Sequence, residues 1–378
     1  MKLSDPELTT PCLLLDRARL ERNAARLRQR FEGTGTVLRP HLKTVKSVEA
    51  ARILLPTPKG PATVSTLAEA ERFAGAGITD LLYAVGIAPQ KIARVQRLRE
   101  AGADLKVLVD NEVSAKAIAT EAGASGRAIP TLIEIDVDGH RSGVAPDDEE
   151  TLLQLAALLD EADCLAGILT HAGESYRSRN REEASRHAVA ERDDTVRLAR
   201  LLEQNGFPCP IVSVGSTPTA LTMSEPEGVT EVRAGVYAFC DLFQAGVGVC
   251  GVDDIALSVL TTVIGHQKSR GWTIIDAGWM ALSPDRSTAS QPVDRFFGLV
   301  CDEAGVPLDD LVVSSANQEH GIVTAWPGSD RPALELPVGT RLRVLPNHAC
   351  ATAAQHEAYE VLGPSGEIEE RWPRFGGW

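Results

Sequence analysis

Several side chains in this sequence are of types that do chemistry, and they fall where short apolar runs end. Arg39-Pro-His-Leu-Lys43-Thr44 closes the first such run. A lysine at the carboxyl end of a barrel strand points into an apolar mouth, where desolvation lowers its pKa and frees the neutral amine that Schiff-base chemistry needs. The same lysine could instead be a solvated residue starting the next helix. Farther along, Val214-Gly215-Ser216-Thr217-Pro218 and Arg233-Ala-Gly235-Val236-Tyr237 offer close backbone approach and hydroxyl donors. In barrels the loops after the seventh and eighth strands often cradle a phosphate, although Gly-Ser-Thr is also ordinary turn chemistry. Arg141, in Asp138-Gly-His-Arg141-Ser142, could donate to a phenolate oxygen or pair with Asp136 or Asp138. His171 could stack on an aromatic ring or cap a strand end. His348 and Cys350, two residues apart, would share one face of an extended segment and could chelate one ion. Mixed nitrogen and sulfur ligation suits zinc; a buried thiol beside a hydrogen-bonded histidine is the alternative.

These groups need elements that bring them together. The runs at 37–41, 62–66, 80–85, 106–110, 131–137, 165–171, 211–215 and 231–235 are short and rich in β-branched residues or Leu. Stretches with helical periodicity lie between them, such as Arg17–Gly33 with Leu20, Ala24, Leu27 and Phe31 on one face, Glu150–Asp163 and Glu182–Asn205. Near-continuous apolar strands alternating with helices imply a parallel sheet covered by helices. Eight such units over about 235 residues predict a (β/α)8 barrel, whose active groups sit at the carboxyl ends of its strands. After about residue 250 the runs IALSVLTTVIGH, GWTIIDAGW, DLVVSSA, GIVTAW, TRLRVL and AYEVL succeed one another across turn residues with no long amphipathic helix. The sequence thus predicts an α/β barrel plus an all-β domain. Residues 1–15 contribute a strand to the β domain, 16–250 form the barrel, and 251–378 form the β domain with the candidate metal pair.

Composition narrows the function classes. The formal net charge of −14 disfavours nucleic acid, whose phosphate backbone selects clustered Lys and Arg. No apolar run is long enough to span a bilayer, and MKLSDPELTT lacks the apolar core of a secretory signal. Seven cysteines without a CxxC pair predict free thiols in a reducing compartment, hence a cytoplasmic protein.

Nine blocks in order, RPHLKT, TVSTLAEAE, EIDVDGHRSGV, THAGESY, VGSTPTA, EVRAGVY, DAGWMALS, NQEHG and LPNHACAT, resemble the fold-type III pyridoxal-phosphate enzymes. The resemblance covers essentially the whole chain and is greatest to the D-serine dehydratase and D-threonine aldolase group, built from an alanine-racemase-like barrel and a β domain. It implies Lys43 as the cofactor-carrying lysine, Arg141 as donor to the phenolic oxygen and His171 against the pyridine ring. It implies Ser216 and Thr217, with the backbone of Gly215, Gly235 and Val236, as the phosphate site, and Arg233 facing the pyridine nitrogen, where some aldolases lack an arginine. His348 and Cys350 match the metal pair of the dehydratase branch; the aldolases place an aspartate at the position of Cys350.

The resemblance further implies pyridoxal 5'-phosphate and a divalent metal (zinc, or manganese or magnesium) as cofactors, a small β-hydroxy-D-amino acid as substrate, and a homodimer. Dehydration to a 2-keto acid and ammonia, of the D-serine or 3-hydroxyaspartate type, is the expected reaction. Aldol cleavage to glycine and an aldehyde is the alternative. A racemase would need a second acid/base such as one of Tyr83, Tyr176, Tyr237 or Tyr359, and a non-catalytic cofactor carrier would not need the β domain. A β-carboxylate on the substrate would call for a cation, for which His140, Arg177 and Arg286 are candidates.

Overall fold

Each apolar run between residues 37 and 234 forms a strand in the computed structural model, which describes residues 1–329 and 336–378. After an N-terminal strand β1 (Cys12–Asp16), these are β2 (Val37–Pro40), β3 (Ala62–Val64), β4 (Asp80–Gly86), β5 (Asp104–Val109), β6 (Thr131–Ile135), β7 (Leu165–Thr170), β8 (Ile211–Val214) and β9 (Glu231–Ala234). Helices follow because the loops supply caps. The side chains of Thr66, Asn111, Asp148, Asn180 and Ser216 each accept from a backbone N–H in the first turn of a helix.

The chain divides into two compact units, Arg26–Gly235 with Gly376–Trp378, and Met1–Ala25 with Val236–Phe375. Against the spans 16–250 and 251–378 read from the sequence, the divisions fall inside the helix Arg17–Phe31 and between Gly235 and Val236.

In the barrel unit the eight strands run parallel in the order β2-β9-β8-β7-β6-β5-β4-β3. A parallel bridge between His41 and Thr63 joins the ends of the series, with Leu42 N–H donating to Thr63 O at 2.8 Å. The seam therefore closes two residues before Lys43. The interior carries a chain of charged and polar groups. Arg39 Nε donates to Glu231 Oε2 at 2.7 Å and its Nη1 to Asp80 Oδ1 at 2.9 Å, while Ser213 Oγ donates to Glu231 Oε1 at 2.6 Å. Arg39 and Glu231 are buried, and a buried charge is tolerated when paired and hydrogen-bonded.

The other unit is a nine-stranded sheet, β11-β14-β13-β12-β15-β10-β1-β16-β17, with β10 also pairing to β11. Its strands are β10 (Leu257–Gln267), β11 (Trp272–Ile275), β12 (Leu299–Cys301), β13 (Pro307–Ala316), β14 (Gly321–Ala325), β15 (Arg341–Leu345), β16 (Ala358–Leu362) and β17 (Ile368–Pro373). β1 lies between β10, antiparallel, and β16, parallel. β12 and β17 had no signal in the sequence: one has three residues, and the other is an edge strand, IEERWP, with three consecutive charged residues and no apolar alternation. Among the described residues, no helix is long and apolar enough to cross a membrane. The seven cysteines are free, four of them buried.

Candidate active site

Parallel strands direct their carboxyl ends to one rim, and in the barrel unit the candidate groups gather there. Lys43 lies just beyond β2, Arg141 beyond β6, His171 beyond β7, Gly215 to Thr217 beyond β8, and Arg233 and Gly235 at the end of β9. The next residue, Val236, opens a short 3-10 turn in the other unit.

The rim is cationic, which corrects the apolar mouth expected from the sequence. Lys43 is exposed, and the strand ends also carry Arg141 and Arg233, with Glu134, Asp136 and Asp138 on the strand and loop that present Arg141. Burial, then repulsion from Lys43, Arg233 and His171, holds His41 well below the usual imidazole range. Burial, then Arg141, also lowers His171, to about 3. Its Nδ1 lies 2.9 Å from Gly215 O; a carbonyl can only accept, so Nδ1 carries the proton and the ring is neutral.

Arg233 is buried. Its Nη1 donates to Ser213 Oγ at 2.7 Å and its Nη2 to Thr170 O at 2.6 Å. Burial lowers its pKa to about 10 against the support of Glu231, Glu191 and Glu134, so the guanidinium stays charged at neutral pH. Arg141 is half exposed, with Nη2 3.8 Å from Glu134 Oε1. Asp136 does not pair with the Arg141 guanidinium; its carboxylate instead accepts the backbone N–H groups of His140 and Arg141 at 3.0 and 3.1 Å, fixing the loop that presents the arginine.

Gly215 adopts a left-handed φ of +132°, and a Cβ there would lie 2.2 Å from Arg233 O. At Gly235 a Cβ would lie 2.9 Å from Thr44 Oγ1. Both positions keep the backbone open where two strand ends meet. Ser216 caps the helix Thr217–Thr222, its N–H donating to Thr219 Oγ1 at 2.9 Å, and Thr217 N–H makes a long 3.4 Å bond to Tyr176 Oη. Glycines that admit close approach, a hydroxyl-rich turn and three cations fit an anionic phosphate ester bearing a phenolic oxygen.

In the β unit, His348 and Cys350 do not lie in an extended segment as the sequence reading had it. His348 is the N-cap of a short helix, Ala349–Ala353, and Cys350 sits in its first turn. Three alanines favour helix, and Asp241 Oδ2 accepts Ala349 N–H at 3.0 Å. The two side chains nonetheless come within hydrogen-bonding reach of each other. His348 Nδ1 is 3.0 Å from Asp285 Oδ2, so Nε2 is the nitrogen that would be available to a metal. Burial opposes protonation of His348, yet Asp285, Cys350 and Asp241 raise its pKa to about 11. An imidazole and a thiol within reach of each other, with Asp285 behind the imidazole, are donors that fit a zinc-like ion. Among the described residues no group of three or more His, Cys, Asp or Glu converges as a metal cage; a pair of protein ligands would leave coordination positions open.

The three cations considered for a β-carboxylate are engaged. His140 and Arg177 pair with Glu174 at 2.8 and 3.0 Å, and Arg286 pairs with Asp294 at 2.7 Å. Asp276 accepts from Thr10, Thr261 and the backbone of Thr262, a structural role. Sequence reading missed His41, Glu134, Glu191, Asp241 and Asp285. None of them lies at a diagnostic spacing, although His41 stands inside RPHLKT.

Residues 15–242 match the alanine racemase N-terminal domain family, and residues 256–362 match the family described as "Putative serine dehydratase domain". The chain belongs to the D-serine dehydratase family with the alanine racemase fold. Members of this family are pyridoxal-phosphate-dependent lyases. The chain is 50% identical to D-threo-3-hydroxyaspartate dehydratase of Delftia sp. strain HT23, covering 98% of each chain. The solved structure of that enzyme aligns with a TM-score of 0.95 at 49% identity, covering 100% of both chains. A Cys-to-Ala variant of it, solved in a metal-free form, aligns with a TM-score of 0.96 at 48% identity, again covering 100% of both. D-serine dehydratase of Dictyostelium discoideum is 28% identical over 96% of this chain and 95% of its own, and D-threonine aldolase of an Arthrobacter species 29% over 96% and 91%.

Two outcomes follow from this geometry. Asp285→Ala lowers divalent-metal affinity about 10–100-fold, read by competition with a chromophoric chelator, and Asp285→Asn, which keeps an acceptor for Nδ1, lowers it less; unchanged affinity in Asp285→Ala contradicts the orienting role. A histidine with a depressed folded-state pKa stays neutral as the pH falls through the unfolded value of 6.5, and its contribution to stability is lost only on the way down to about 3. The His171 ring resonance therefore stays fixed between about pH 8 and pH 5; a midpoint near 6.5 contradicts the assignment.

Proposed function

We propose that this chain carries pyridoxal phosphate on Lys43 and a divalent metal on His348 and Cys350. With them it dehydrates a β-hydroxy-D-amino acid, D-threo-3-hydroxyaspartate first among candidates, to a 2-keto acid and ammonia. The observation that carries this reading is the 50% identity, across 98% of the chain, to an enzyme named for that reaction. The cationic barrel rim and the His-x-Cys pair support it independently.

Pyridoxal phosphate, when bound, supplies the electron sink for the carbanion at Cα. The metal, when bound, supplies Lewis acidity toward the β-hydroxyl. The chain's own groups do the rest. Lys43 Nζ would hold the cofactor and, when free of it, would be the base that takes the proton from Cα. Arg141 would donate to the phenolic oxygen, with Glu134 beside it keeping that guanidinium near the rim. His171, neutral, presents a ring face without adding charge. Arg233 would face the pyridine nitrogen and, with its pKa at about 10, keeps its own protons at neutral pH. Gly215, Ser216, Thr217, Gly235 and Val236 supply the phosphate donors. Loss of water from Cα and Cβ leaves an enamine, which returns the water on hydrolysis and releases ammonia.

Aldol cleavage uses nearly the same parts. It is the second reading because the aldolase is only 29% identical, and the resemblance puts an aspartate in aldolases where this chain has Cys350. By analogy with other enzymes of this fold the chain forms a symmetric homodimer, and seven free thiols suit a reducing cytoplasm.

Incubation with D-threo-3-hydroxyaspartate and D-serine should yield keto acid and ammonia. Glycine and an aldehyde, from these or from D-threonine, would transfer the assignment to the aldolase reading. Chelation should abolish turnover reversibly while leaving the visible absorbance of the cofactor, and His348→Ala or Cys350→Ala should lower turnover by about 100-fold or more. Full turnover after complete metal removal contradicts the metal role.

A further inference from the structure

One buried carboxylate on the outer helix layer reaches both loops that carry the cofactor groups. Glu191 lies in the helix Arg181–Gln204 and is 1% exposed. A single oxygen, Oε1, accepts Ala172 N–H at 3.0 Å and Gly215 N–H at 2.9 Å. Ala172 follows His171, and Gly215 precedes Ser216. The Gly215 carbonyl accepts the Nδ1 proton of His171 at 2.9 Å, so the histidine, the glycine and the carboxylate form one closed set of hydrogen bonds across the ends of β7 and β8. Gly215 is also pressed against the backbone of Arg233, since a Cβ there would meet Arg233 O at 2.2 Å. A displacement of Gly215 therefore moves His171, the Ser216 turn and the strand end bearing Arg233 together. Burying a glutamate away from a direct ion pair is costly, and satisfying two backbone donors from different strand ends is the return the geometry offers.

We infer that Glu191 is a positioning residue: by bridging Ala172 N–H and Gly215 N–H it fixes the imidazole and the phosphate turn in one register for cofactor binding. The inference rests on the proposed pyridoxal-phosphate site at this rim.

The test compares Glu191→Ala, Glu191→Gln and Leu198→Ala with the wild type. Gln keeps a carbonyl oxygen for both N–H groups; Leu198 is buried on the same helix and makes no bond to either loop, so its truncation reports general destabilisation. Pyridoxal-phosphate affinity is measured by titrating the apo protein at the cofactor's visible absorbance. Amide exchange of the Ala172 and Gly215 segments is measured on the apo protein, alongside its thermal unfolding. Glu191→Ala should weaken cofactor binding about tenfold or more, as expected for losing two buried hydrogen bonds, and should expose both amides to exchange. Glu191→Gln should stay within about threefold of the wild type, and Leu198→Ala should unfold at lower temperature with near-normal affinity. Normal affinity and normal protection in Glu191→Ala overturns the inference, as does an equal loss of affinity in Leu198→Ala. A wild type that takes up no cofactor overturns the functional reading beneath it, a separate outcome read in the control.

Discussion

Everything at the rim follows from the parallel ladder of β2 to β9 and its closure at His41 and Thr63. Parallel pairing gives all eight strands the same direction, so every loop that follows a strand opens on one end. Residues far apart in sequence, Lys43, Arg141, His171, Gly215 and Arg233, reach one place without any long-range motif to bring them there. The seam sits immediately before Lys43, so the Lys43 backbone leaves the sheet at the point where the barrel is fastened.

Closure alone would crowd cations that repel one another. Burial and mutual repulsion are resolved in two ways. The two imidazoles give up their charge, as the lowered pKa values of His41 and His171 express. Arg233 keeps its charge because three buried carboxylates, Glu231, Glu191 and Glu134, offset part of its desolvation. Ser213 links Arg233 to Glu231 and so to Arg39 and Asp80, which makes the arginine one end of a hydrogen-bonded chain through the barrel. Lys43, Arg141 and Arg233 thus stand at one rim, where cations can meet an anionic group. The β unit solves the opposite problem: Asp241, Asp285 and Cys350 surround His348 with negative charge and favour a cation.

The barrel was readable because its strands are short apolar runs separated by helices with one buried face. Leu20, Ala24, Leu27 and Phe31 are buried at the spacing the sequence displayed. The candidate groups were readable for a related reason: a residue just past a run can only lie at a strand's carboxyl end. Other features left no periodic trace. The His348-x-Cys350 segment reads as extended, but its alanines and the remote Asp241 cap turn it into helix. Glu191 sits mid-helix among charged residues, where nothing local separates a solvated glutamate from one bent inward. Asp285 reaches His348 across 63 residues, a contact that only the folded sheet creates. The charge of the rim was likewise hidden, since it is a sum over five loops rather than a property of any one.

The central claim is that Lys43 Nζ is the point of covalent attachment for pyridoxal phosphate. Borohydride reduction of the purified protein, followed by proteolysis and mass spectrometry, tests it directly. The expected result is the reduced pyridoxyl-phosphate mass on the peptide containing Lys43 and on no other lysine. A Lys43 peptide of unmodified mass from a yellow, reduced protein, or a label on another lysine, contradicts it.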